Sequence, residues 1–166
     1  ASIVTINNVL EHVRDPRLVL EMIRSRFLTR KGVLCVIVPN DFSVLQDILM
    51  KSVLKDNVGK HHYWVTPLEH LNYWSYGIMG RFLIKCGYRI LGSSGDFPME
   101  IFPLMGEDYL SHPEAGKAAH TKRISFENHL SLTGHNDLKD RLAESLAELG
   151  IGRNAQIYAT PRDRWL

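Results

Sequence analysis

Six consecutive apolar residues, Val33-Leu34-Cys35-Val36-Ile37-Val38, constrain the fold of this chain more than any other feature. The run is too short for a helix and has no polar alternation, so it predicts a strand covered on both faces by helices. Upstream, Ser2 to Ile6 is short and β-branched and stops at Asn7-Asn8, which predicts another strand ending in a loop. Between them Asp15 sits where an N-cap side chain accepts the first free amides, and Pro16 takes the first helical position, where its missing N–H costs nothing. Val19, Ile23 and Phe27 give this helix one apolar face, Arg26, Arg30 and Lys31 crowd its C-terminal end, and Gly32 stops it. Strand, helix and strand make a βαβ unit, because a parallel pair needs a crossover of this length. The chain is thereby committed to an α/β layer architecture.

Pro39-Asn40-Asp41 closes the apolar strand, Phe42 to Leu54 is weakly helical, and Lys55 to Tyr73 mixes glycine, proline, histidine and aromatics as an active-site loop does. Ser75 caps a clear helix whose Ile78, Met79, Phe82, Leu83 and Cys86 share a face, with Gly87 just past its end. A strand is expected at Tyr88 to Leu91, a loop from Gly92 to Pro98, and an irregular stretch with one or two short helices from Met99 to Gly134. Asn136-Asp137 open another helix with Leu138, Leu142, Leu146 and Leu149 on one face and Gly150 after it, and Gln156 to Ala159 is the last strand before a charged tail. With no repeat, low-complexity tract or linker, residues 1–166 are expected to form a single domain.

The chain is 45% hydrophobic and 23% charged, enough to bury one core and too apolar for disorder. A formal net charge of +2 implies neither a nucleic-acid groove nor an anionic membrane surface, so no nucleic-acid or membrane partner is expected. The basic stretch Lys117 to Arg123 is expected to be a solvated helix face. No apolar run approaches the roughly 18 residues of a spanning helix, and Ala1 to Leu10 lacks the features of a signal peptide, so a cytoplasmic location is the expectation. Cys35 and Cys86 have neither CxxC nor zinc-finger spacing and are expected to be reduced, packed thiols.

Val9-Leu10-Glu11-His12-Val13 followed by Asp15-Pro16 resembles the segment after the fourth strand of class I S-adenosylmethionine-dependent methyltransferases, especially those related to ubiquinone-pathway O-methyltransferases. Lys31-Gly32-Val33-Leu34 is similar to the family's turn into its fifth strand, and Val38-Pro39-Asn40-Asp41 to that strand's end. Trp64 to Ser75 resembles the tryptophan, proline, histidine and aromatic-serine entry into the next helix, Gly87-Tyr88 the turn into strand six, and Gly150 to Ala159 the approach to strand seven. No strand with a G-x-G-x-x-G-like loop precedes Ser2, and no acidic strand end is available for a ribose. The resemblance therefore implies the C-terminal half of a Rossmann-like fold: a mixed sheet of about four strands, parallel with one antiparallel final strand, flanking helices, and an irregular or helical insertion at 96–153 before the last strand. It implies an S-adenosylmethionine cofactor held weakly or not at all by this chain alone.

Methyl transfer from a sulfonium is an in-line displacement, so it needs positioning and, for an oxygen nucleophile, a base. Ligands of open α/β sheets sit beyond the carboxyl ends of the strands, which brings the Asn7 to His12 and Asn40 to Trp74 loops to one crevice. The resemblance implies that Asn7, Asn8 and Val9 run along the methionine part of the cofactor and that His12, with Glu11, serves as base or acceptor contact. The alternative is that Glu11 and His12 only cap and orient the following helix. Asn40, Trp64, His70 and Tyr73 are the expected substrate-side residues, loop aromatics being suited to an apolar or planar small-molecule acceptor. Packing against the core is their alternative use. In the ubiquinone-pathway relatives a carboxylate three residues before the Glu-His pair completes a divalent-metal site; here that position is Asn8, so no metal is expected. His61-His62 with His70 lack compact ligand spacing and are expected to be polar loop residues. Two other functions compete with the enzyme: a non-catalytic interaction or assembly module, pairing with an N-terminal half or a second copy along the edge of strand 2–6, and a nucleotide-dependent enzyme of another doubly wound family.

Overall fold

The computed structural model describes residues 1–55, 62–110 and 112–162. His61 and the end of the charged tail lie outside the described residues. Strands β1 (Ile3–Asn7) and β2 (Val33–Pro39) pair in parallel, with Ile3 opposite Val33 and Asn7 opposite Ile37. The crossover between them carries α1 (Pro16–Met22), capped by Asp15, whose Oδ1 accepts from the Leu18 amide at 2.9 Å. The predicted apolar face holds only as far as Ile23. From Ile23 to Phe27 the helix widens into a π turn, and the Leu28 amide donates to the Ile23 carbonyl at 2.9 Å. The wider turn shifts the phase by one residue: Phe27 is 54% exposed and Leu28 is buried in its place. Gly32 follows the helix at a distance, its amide donating to the Thr29 carbonyl in the turn into β2.

Two more strands complete an open mixed sheet of order β1-β2-β4-β3, where β3 is Tyr88–Gly95 and β4 is Asn154–Pro161. The last strand in the chain lies between β2 and β3 and runs antiparallel to both. β3 is longer than its composition suggests: Gly92, Ser93 and Ser94, expected in a loop, pair with Tyr158, Ile157 and Gln156. A bulge between Ile90 and Gly92 absorbs the irregularity, as glycine allows. On β2, Leu34, Val36 and Val38 are fully buried while Val33, Cys35 and Ile37 are half-buried, so its two faces are not equally covered.

Helix α2 (Val44–Ser52) begins with a reciprocal capping box between Ser43 and Gln46. In α3 (Tyr76–Lys85), capped by Ser75, Met79 and Leu83 are buried and Cys86 follows them inside, whereas Ile78 is exposed. Both cysteines are free thiols. Between β3 and β4 stand α4 (Ile101–Leu104), α5 (Pro113–Leu132) and α6 (Asn136–Glu148). The stretch expected to be irregular thus contains a helix of 20 residues. Its buried residues are Ala119 and Arg123, so it carries no apolar stripe that periodicity would reveal. In α6, which packs on β3, the inward residues are Leu146 and Ala147, while Leu138 and Leu149 face out.

The main core joins Leu20, Leu34, Val36, Met79, Leu83 and Ile157, with Tyr88 buried among them and its hydroxyl donating to the Leu20 carbonyl at 2.8 Å. Among the described residues no helix is long and apolar enough to cross a membrane.

Candidate functional site

Both parallel strands end in a residue or loop held in the left-handed backbone region. Asn8, directly after β1, has φ 50°, and Phe42, just beyond β2, has φ 58°. Asparagine tolerates this conformation; phenylalanine does not, and such strain persists only where surrounding structure enforces it. Phe42 is also 57% exposed, yet its ring meets Trp64 edge-on at 5.7 Å and His62 at 5.9 Å. His62 stacks on Trp64 at 4.6 Å. Of these rings Trp64 lines a crevice of about 610 Å³ beyond the carboxyl ends of β1 and β2.

The turn after β1 and the loop before α3 are locked together across that crevice. The Leu71 and Asn72 amides donate to the Glu11 carbonyl at 2.7 and 3.0 Å, and the Asn72 side chain donates to the carbonyls of Leu10 and Val13 at 3.0 and 2.7 Å. His12 Nδ1 lies 2.7 Å from the Glu69 carbonyl oxygen. A carbonyl only accepts, so Nδ1 carries the hydrogen and Nε2 of the neutral ring keeps its lone pair. That Nε2 is 3.7 Å from Glu11 Oε1. Glu11 is 1% exposed, and its Oε2 has no hydrogen-bond partner among the described residues, nor has the buried Nδ1 of His70. The His12 and His70 rings meet edge to face at 4.9 Å.

Asp41 forms a second clamp. Its amide donates to the Trp74 carbonyl at 2.6 Å, and its Oδ2 accepts from the Trp74 amide at 3.1 Å. Burial raises its carboxyl to about 6; the Trp74 amide and His70 oppose the shift and Glu11 adds to it. A folded-state value above that of the unfolded chain means that the folded state binds the proton more tightly. Stability from this group is therefore fully present below about pH 4 and lost as pH rises through about 6. Asp41→Asn keeps an oxygen for the Trp74 amide and removes the charge. In a chelating buffer it is expected to flatten that limb and to add about 3 kcal/mol at pH 7, since the rise from 3.8 to about 6 is worth about 1.4 kcal/mol per pKa unit. Urea unfolding followed by tryptophan fluorescence at pH 4, 5.5 and 7 checks this, and an unchanged pH dependence would show that Asp41 is not the titrating group.

Of the residues expected at the site, Asn8, Glu11, His12, Asn40, Trp64 and His70 line this one crevice. Asn7 and Val9 are exposed and Tyr73 is half-buried, and none of the three is part of that lining. Tyr73 packs beside His70 and Phe42 at 6.2 Å from each. Asn40 has a structural duty: its Nδ2 donates to the carbonyls of Gly150 and Gly152 at 2.9 and 2.8 Å, so only its oxygen is left for a ligand. The crevice also holds groups that sequence reasoning passed over, including Glu100, Tyr109, His120 and Arg153. Glu100 is buried and accepts from the Tyr63 hydroxyl at 3.2 Å and from Gln46 at 3.4 Å. Burial, with Glu100 adding, pushes Tyr109 up to about 12 and Tyr63 higher still, so both phenols are donors at neutral pH. The basic stretch on α5 is engaged within the fold: Lys122 pairs with Glu107 at 2.7 Å and the buried Arg123 with Glu127 at 3.1 Å.

A larger cleft of about 850 Å³ lies where β3 and β4 meet α5 and α6. Its polar groups satisfy one another: Asp96 accepts from Asn154 and Gln156, and Ser94 lies 3.1 Å from the Tyr158 hydroxyl. It lies away from the carboxyl ends of the parallel strands and has no unpartnered buried side chain in its lining among the described residues, so the smaller crevice is the candidate site. Fold and site together define an α/β domain with an open mixed sheet and a polar, aromatic-rimmed crevice at its parallel strand ends. Comparison with protein-family models gives no match, and comparison with curated proteins gives none.

Proposed function

We propose that this chain is the C-terminal half of a class I S-adenosylmethionine-dependent methyltransferase acting on a small-molecule acceptor, and that it supplies the acceptor side and the methyl end of the site. The observation that carries the proposal is the position of His12. It follows the first parallel strand, its tautomer is set by the Glu69 carbonyl, and its Nε2 stands over the crevice beside Glu11. The single final strand, antiparallel to both neighbours, agrees with what the resemblance implies.

When bound, S-adenosylmethionine would supply an electrophilic methyl group for the acceptor oxygen, with a neutral thioether as the leaving group. The acceptor proton passes to His12 Nε2, and the Glu11 carboxylate, 3.7 Å away, stabilises the imidazolium that results. Trp64, with Phe42 edge-on against it, would shape the crevice for a planar or apolar acceptor, and Asn8, in the same lining, would lie toward the methionine end of the cofactor. Calorimetric titration with S-adenosylmethionine tests the proposal. The parent protein carrying the glycine-rich half is expected to bind in the micromolar range and this chain alone weakly or not at all, because the amides that hold the adenosine belong to that half. A parent protein that binds no S-adenosylmethionine would sink the proposal; micromolar binding by this chain alone would show that its boundary in the fold is misplaced.

A second use is favoured by β1. The strand is at the edge of the sheet and Ile3 is 69% exposed, so the half-fold also suits assembly through strand pairing along residues 2–6.

A further inference from the structure

We infer that Glu11, His12 and His70 form a binding site for one first-row transition ion of the zinc type. The three residues come from two segments far apart in the chain, yet one ligand atom from each lies within 4.8 Å of the other two. Ligands around a tetrahedral zinc ion are about 3.4 Å apart, given zinc–ligand bonds of about 2.0–2.1 Å. Small side-chain rotations would close the site. Two independent features point to a ligand. Glu11 is 1% exposed with Oε2 unpartnered, and His70 Nδ1 is buried and unpartnered among the described residues. An unpaired buried carboxylate oxygen is costly unless something cationic meets it.

His12 is oriented as metal-bound histidines are: Nδ1 donates to the Glu69 carbonyl, which fixes the ring and leaves Nε2 as the ligand. The Leu71 and Asn72 amides, both on the Glu11 carbonyl, hold the His70 segment against the Glu11-His12 turn. Two imidazole nitrogens with one carboxylate select zinc or iron(II) over magnesium or calcium, which take oxygen ligands. The absence of a carboxylate at position 8 argued against a metal on ligand count. His70 restores the count with different chemistry, and three protein ligands leave coordination positions open toward the crevice.

A consequence rests on the methyl-transfer reading. With an ion bound, His12 Nε2 is a ligand, and the ion polarises the acceptor oxygen and eases loss of its proton to solvent. Ion binding itself is tested without cofactor or turnover. Calorimetric titration of the chelator-stripped full chain with zinc chloride is expected to give one ion per chain. Affinity should fall at least about 100-fold in His70→Ala and in Glu11→Gln, more than loss of an outer-shell partner costs. His120→Ala, in the same crevice, should bind as the parent does. Cobalt(II) added instead of zinc should give a visible band typical of low coordination that disappears in His70→Ala. Because Glu11 is buried, circular dichroism in chelator accompanies each variant; His70→Ala carries the test if Glu11→Gln does not fold. Zinc affinity unchanged by His70→Ala, or lost equally in His120→Ala, would overturn the site. That result would leave methyl transfer standing, with His12 Nε2 as the base, whereas a parent protein that binds zinc but no S-adenosylmethionine would sink only the reaction.

Discussion

Replacing His12 by alanine in the parent protein is expected to lower the rate of methyl transfer about 10²–10⁴-fold, the usual contribution of a positioned base. The ring makes one hydrogen bond, to the Glu69 carbonyl, and one edge-to-face contact, with His70, and is exposed, so stability should change little. In chelator-treated enzyme the loss should fall mainly on kcat and should shrink as pH rises, because an acceptor hydroxyl that ionises unaided no longer needs the imidazole. Glutamine at position 12 can donate to the Glu69 carbonyl but cannot take a proton, so it should rescue the fold without rescuing turnover. Turnover unchanged in both variants would leave His12 as a residue that only fixes the loop.

Gly152→Ala is expected to destabilise the protein by about 3 kcal/mol, the upper end of the range for overpacking. A methyl group there would meet the Cα of Gly95 at 2.9 Å and the Asn154 carbonyl oxygen at 3.4 Å, besides the Tyr76 hydroxyl. The tyrosine can move; the Gly95 backbone belongs to β3 and cannot move without breaking its pairing with Ala155. Tyr76 itself is engaged, its hydroxyl 2.7 Å from the Asn154 carbonyl and 3.0 Å from that of Ser94. The effect should reach the crevice, because the Gly152 carbonyl accepts from Asn40 and Asn40 precedes the Asp41 clamp. Urea denaturation measures the stability change. A value within about 0.5 kcal/mol of the parent, as for an ordinary surface substitution, would show that the two glycines are not in tight contact.

What the sequence made legible was local. Asp15-Pro16, the apolar run of β2, and Ser75 with Gly87 around α3 each carry their signal within a few residues, and each element stands where expected. Where pairing or packing at a distance decides, the signal vanished. Gly92 to Ser94 looks like a loop until β4 pairs with it, and α5 hides its helical period because its buried residues are an alanine and an arginine. At the site, Glu11 and His12 were visible beside a strand end. His70 was expected in the same crevice, but its direct contact with the His12 ring was not legible, because it depends on backbone hydrogen bonds from Leu71 and Asn72, which no spacing rule encodes. Phe42 gave no warning either: nothing in its identity announces a left-handed backbone.

The place of β4 has a bearing on synthesis. A ribosome delivers β1, β2, α3 and β3 well before Asn154–Pro161, yet β2 and β3 touch neither each other nor any common strand until that segment arrives. Until then the sheet of a nascent chain is in two parts, the parallel pair β1-β2 and the lone β3, linked through core packing such as Tyr88 on Leu20, each with an unpaired edge open to neighbouring polypeptides. The final strand acts as a keystone: the sheet exists as one object only after β4 is made, and the open edge of β2 waits longest for it.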